Sequence, residues 1–228
     1  MKKKLLIFML LIVSIISFSA CGKGQLNLAD YLIEERNNLF SACDELYTIT
    51  LSSGLRENDY NLDGKIGEKV DFGVVTFLRN DGEPMANDTY TYLIKINDQE
   101  FTGFLEKSPV DNTYCADLGA QASNDAVITA QISFTGYTFN QELTNTSNAF
   151  GVDKTKVLDI ANKELGDAVK EITSDANVKI EVVMKIMKDF STADVKNYYW
   201  YVGVISTNGD TLGILIDANT GDIIAKKV

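Results

Sequence analysis

Three oxygen-bearing side chains, Asp59, Asn61 and Asp63, stand at alternate positions just ahead of Gly64 and Ile66. Alternate oxygens can wrap a hard cation while a glycine permits the sharp bend, which is how a calcium loop begins. A bidentate glutamate should close the shell where this chain has Val70, and Val70 to Leu78 reads as strand. The favoured reading is a hairpin turn at Asp63–Gly64 with no bound metal, and calcium is its alternative.

Paired acids come next: Glu34–Glu35, Asp44–Glu45, and Glu57 with Asp59. Two carboxylates flanking one bond could hydrolyse a glycoside. Such pairs assemble in space, however, and 32 acids make adjacency along the chain commonplace. No catalytic residue is assigned. The chain has no histidine, which excludes Ser-His-Asp and Cys-His catalysis and every His-ligated zinc site. The expectation is a protein that is not an enzyme and carries no cofactor.

Tyr198, Tyr199, Trp200 and Tyr201 are candidate binding aromatics. Alternate strand residues point to opposite faces, so two of the four should enter the core and two remain available. Cys43 and Cys115 are a candidate disulfide. A bridge closing roughly 70 residues would stabilise by about 4 kcal/mol in the chain-entropy model. The alternative is two buried thiols.

The third cysteine, Cys21, has a different setting. Met1-Lys2-Lys3-Lys4 is a basic head, and Leu5 to Ile16 is apolar apart from Ser14. That run is too short to span a bilayer comfortably and reads as an export signal over residues 1–20. Phe18-Ser19-Ala20-Cys21 resembles the bacterial lipobox, with Phe18 in place of the usual leucine. The resemblance implies cleavage before Cys21, lipid attachment on its sulfur, and a short tether over residues 21–26. The expected location is extracytoplasmic, anchored to the cell membrane.

The net charge is −11. Residues 22–150 carry 8 Lys and Arg against 20 Asp and Glu, while residues 151–228 carry 10 against 12. An acidic surface argues against nucleic acid, whose phosphates need cations. It also leaves the lipid, rather than surface charge, as the link to the membrane.

The elements that must position these residues follow from periodicity. Asn27 can cap a helix from Leu28 to about Phe40. Strand runs follow at Glu45–Leu51, Val70–Leu78, Thr89–Ile96, Glu100–Glu106, Thr113–Leu118 and Val127–Phe139, separated by turn residues. Gln141 to Asn148 is polar and loop-like. Asp153 then caps a helix with an apolar stripe at Val157, Ile160, Ala161 and Leu165, which Gly166 is placed to end. Val178, Ile180, Val182, Met184 and Ile186 alternate with a second row in the most regular strand of the chain. Asn197–Ser206 and Thr211–Asp217 flank an Asn208–Gly209 hairpin turn.

The last third resembles the PepSY domain family. Ile160-Ala161, Trp200-Tyr201-Val202 and above all Gly213-Ile214-Leu215-Ile216-Asp217-Ala218-Asn219-Thr220-Gly221-Asp222-Ile223 carry the resemblance. It implies a non-catalytic module with a protein-binding or inhibitory role. The expected fold class is therefore α+β: a mostly-β, antiparallel sandwich-like domain over residues 27–148, then a PepSY-like domain over 149–228 with one helix on an antiparallel sheet. The expected function is a non-enzymatic binding or regulatory module with a protein partner in the cell envelope, for instance an exported protease. A binder of cell-wall glycan or peptide is the alternative, and a carboxylate hydrolase is a more distant one.

Overall fold

The computed structural model describes residues 26–58, 61–81, 83, 85–109, 112–188 and 198–228. Twelve strands form one continuous sheet: β1 (Leu32–Cys43), β2 (Tyr47–Glu57), β3 (Lys69–Arg79), β4 (Tyr90–Ile96), β5 (Gln99–Lys107), β6 (Tyr114–Leu118), β7 (Ile128–Phe134), β8 (Tyr137–Asn145), β9 (Ile180–Lys188), β10 (Tyr198–Ser206), β11 (Thr211–Asp217) and β12 (Ile223–Lys227). One α-helix, α1 (Lys154–Ile172), lies between β8 and β9.

Strands β1-β2-β3-β6-β5-β4-β7-β8 pair antiparallel in that order, and β8 returns to β1 through Phe40–Asn145 and Ser41–Thr144. The result is a closed eight-stranded barrel. Its interior is filled by side chains, among them Phe40, Ile49, Leu51, Val75, Phe77, Ile94, Ile132 and Phe139, so it is a packed core rather than a pore.

β1 is where the barrel meets the rest of the sheet. One of its edges pairs with β2 along nearly its whole length. The opposite edge is shared, running parallel with β9 from Leu32 to Arg36 and antiparallel with β8 at Phe40 and Ser41. A bulge between Arg36 and Asn38 lies between the two pairings, consistent with the bend that an extra residue imposes on a strand. β9 is followed outward by β10, β11 and β12, all antiparallel.

The fold class expected from sequence is corrected by this topology. The N-terminal strands close into a barrel instead of splitting into two sheets. The C-terminal strands continue the barrel's own sheet through β1, and the chain is mostly β, in place of an α+β pairing of a sandwich with a separate PepSY-like domain. Short alternating strands fit a sandwich and a barrel equally, and the pairing of β1 with β8 decides between them.

The expected helix over Leu28–Phe40 is also corrected. Only Leu28–Tyr31 forms a single 3-10 turn, with the Asn27 side chain accepting the Ala29 amide. The following residues are β1. Leu32 and Leu39 enter the core beneath α1, while Phe40 enters the barrel. A strand serving two cores, with bulges after Leu32 and Arg36, loses the period-2 signature that would mark it.

α1 starts as expected, with the Asp153 carboxylate accepting the Lys156 amide at 2.9 Å. It runs through Gly166 to Ile172. Val157, Ala161, Leu165 and Val169 are fully buried on one stripe against β10 and β11. Burying Val169 contributes about 1.5–3 kcal/mol, which outweighs the ~1 kcal/mol cost of a mid-helix glycine. The apolar run Val127–Phe139 divides into β7 and β8 at Thr135–Gly136, where Gly136 has φ +77°.

Candidate functional site

After Lys185, β9 leaves the edge of β1. Its last residues lie over the outer wall of the barrel, where the Ser52 hydroxyl donates to the Ile186 carbonyl at 3.3 Å. Between wall and strand is a cleft of about 220 Å³. Strand register explains its lining. Thr50 lies opposite Thr76, which lies opposite Cys115, and Ser52 lies between Leu39 and Val74. Thr50, Ser52 and Thr76 are outward-facing barrel positions, polar by type, yet Thr50 is 4% and Ser52 8% exposed because β9 covers them.

Cations stand on the opposite side. Lys188 lines the cleft and is 5% exposed. Burial holds its ammonium below the ordinary lysine value, with the nearby Cys43 thiol acting the other way. Lys185 is also held down, first by burial and then by Arg36, against the pull of Glu34. Arg36 itself is bound by Glu34, Nε to Oε1, at 2.7 Å. Among the described residues neither lysine has a carboxylate within ion-pair distance. A buried charge without a partner is costly, and such groups concentrate at functional sites.

The residues singled out from sequence are placed elsewhere or divided. Cys21 and Asp59 lie outside the described residues. Asp63 is engaged in its own turn, where its Oδ1 accepts the Lys65 amide at 2.9 Å. Instead of a two-residue hairpin, Asp63 and Gly64 lie in a longer connection, since β2 ends at Glu57 and β3 begins at Lys69. Glu181 of β9 holds that connection, its Oε1 accepting the Asp63 and Gly64 amides at 2.9 and 2.8 Å. Among the described residues no group of three or more acidic or cysteine side chains could hold a metal ion.

Cys43 and Cys115 are not joined in a disulfide, the first being exposed and the second half-buried. β2 and β3 separate their strands, a lateral distance of about 14 Å at ordinary strand spacing. Disulfide geometry needs Cα atoms within about 7 Å, so the expected bridge is corrected.

The aromatic run divides by parity. Tyr198 and Trp200 are buried beneath α1, with the Trp200 indole N–H donating to the Val152 carbonyl at 3.1 Å. Tyr199 and Tyr201 are half-buried on the other face, where the Lys185 ammonium lies 5.5 Å from the Tyr201 ring centre. The four do not form a single platform.

The acidic pairs are likewise separated. Glu34 binds Arg36, Glu35 binds Lys154 at 2.6 Å, and Asp44 caps the Leu46 and Tyr47 amides at 2.8 and 2.7 Å. Glu57 is 4% exposed, with Oε1 accepting the Gly67 amide and Oε2 unpartnered among the described residues. Its charged neighbour is Glu181, from 124 positions along the chain.

Protein-family models, curated proteins and solved structures give no match to this chain.

Sequence reasoning missed the cleft, although one signal was present. Lys188 continues the parity of Ile180, Val182, Met184 and Ile186, the row that enters the core beneath α1. A lysine at the end of a core-facing row is a marked position. The hydroxyls of Thr50, Ser52 and Thr76 carried no comparable signal, since outward polar residues ordinarily face water.

Proposed function

We propose that this chain is an exported, lipid-anchored, non-enzymatic binding module that holds a small polar ligand, or one group of a larger one, in the cleft between the barrel wall and β9. The observation that carries the reading is the cleft itself: concave, hydroxyl-lined and faced by two lysines. Its volume is below the roughly 300–1,000 Å³ of sites for drug-sized ligands, which suits a single sugar, a short peptide end or a small ion. The lipobox-like frame at Cys21 supports placement at the membrane, where cell-wall glycan and peptide are the available partners.

Two measurements test this. Full chain expressed in bacteria should fractionate with membranes, and Cys21→Ser should release it. Purified chain should bind soluble cell-wall glycan fragments or peptides, and Thr76→Trp, which fills the cleft, should abolish binding while leaving the circular dichroism spectrum unchanged. Retention of binding by Thr76→Trp would remove the cleft from the function.

A further inference from the structure

We infer that the cleft is an oxyanion site, with Lys188 as its principal cation and the Thr50 and Thr76 hydroxyls as neutral donors. The inference rests on the proposed binding function and specifies the ligand's charge.

The argument begins with Lys188. A lysine this deeply buried is normally paired, yet Lys188 meets no carboxylate among the described residues and lines the cleft. Lys185 and Arg36 line the same space. Among the described residues only Arg36 of this trio is neutralised, by Glu34, and these residues leave the cleft a positive surplus within a chain of net charge −11. The other described acids on the wall are engaged or exposed. Asp117 faces Arg56 at 3.5 Å, and Glu106, across from Cys115, is solvent-exposed.

The wall supplies the remaining chemistry. Thr50 and Thr76 lie side by side on adjacent strands, and each hydroxyl can donate one hydrogen bond to an anion oxygen. Hydrogen bonds to a charged acceptor are about twice as strong as neutral ones. A phosphate ester and a carboxylate share this chemistry, and both are compatible with a polymer or peptide end entering a cleft that is open on one side.

The test uses the full chain and three probes at constant ionic strength: inorganic phosphate, acetate and neutral N-acetylglucosamine. Saturable binding of phosphate or acetate by calorimetry, with a rise in melting temperature absent in chloride, supports the inference. Phosphate alone assigns a phosphate ester, and acetate alone a carboxylate. Lys188→Met, which keeps the apolar stem, should weaken the anion at least tenfold, while Lys226→Met on β12 should change it less than twofold. Thr76→Val, nearly the same shape without the hydroxyl, should weaken it several-fold. Equal behaviour of phosphate, acetate and chloride overturns the inference, as does undiminished binding by Lys188→Met. If N-acetylglucosamine binds and Thr76→Trp abolishes it while neither anion binds, the oxyanion site is wrong and the binding module stands.

Discussion

The Glu181 carboxylate reaches across from β9 to the Gly64 amide, 2.8 Å away, and so fastens the β2–β3 connection to the C-terminal part of the sheet. Burial raises its pKa from the ordinary 4.5; the Gly64 and Asp63 amides oppose the rise, and the Glu57 and Asp63 charges add to it. An acid with a raised folded-state pKa keeps its proton longer in the folded chain than in the unfolded one. Its contribution to stability is therefore greatest below pH 4.5, falls as pH rises through the window up to the folded-state value, and is constant above that. Asp44 behaves in the opposite sense. Burial works against its charge, but the Tyr137 hydroxyl and the Tyr47 and Leu46 amides hold its pKa below 3.8, so its contribution is lost as pH falls through that lower range. Glu181→Gln keeps an oxygen for both amides and removes the charge. Urea titrations at several pH values should show it equal to the parent near pH 3 and more stable at pH 7. A variant less stable than the parent at pH 7 would show that the ionised carboxylate is a net stabiliser.

Gly54 of β2 lies opposite Arg36 of β1. A Cβ there would stand 1.8 Å from the Glu35 carbonyl oxygen and 2.9 Å from the Arg36 Cα. Both atoms are backbone and cannot rotate away. Gly54→Ala should cost about 3 kcal/mol, the upper part of the range for overpacking. Gly119, with nothing within 4 Å of its Cβ position, should accept alanine within about 0.5 kcal/mol. Denaturant midpoints compare the two.

Trp200→Phe removes the indole donor to the buried Val152 carbonyl. Leaving that acceptor unsatisfied should cost about 1–3 kcal/mol. The loss should appear as a lower urea midpoint by circular dichroism, with an unchanged denaturant slope.

Cys43 and Cys115 are separate thiols. In Cys21→Ser chain prepared without reductant, two thiols per molecule should titrate after denaturation. In the native state Cys43 should react faster, because exposure governs access. A chain with no titratable thiol would restore the bridge.

Local pattern accounts for much of what was legible beforehand. The apolar stripe from Val157 to Leu165, the alternation through β9 and the Asn208–Gly209 turn depend on neighbours within a few residues, and the chain forms an element at each. Composition settled that no histidine chemistry is available. Tertiary structure decided the rest. Whether Leu32–Cys43 is helix or strand depends on two cores contributed by opposite ends of the chain. Barrel closure depends on contacts such as Ser41 with Thr146, 105 residues apart. The same holds for Thr50, Ser52 and Lys188. A hydroxyl on an outer wall reads as solvent-facing until β9 is laid across that wall, and the core-facing parity of Lys188 does not say which wall it will meet. Periodicity records which side of its own strand a residue takes, and only packing determines whether that side meets water or another part of the chain.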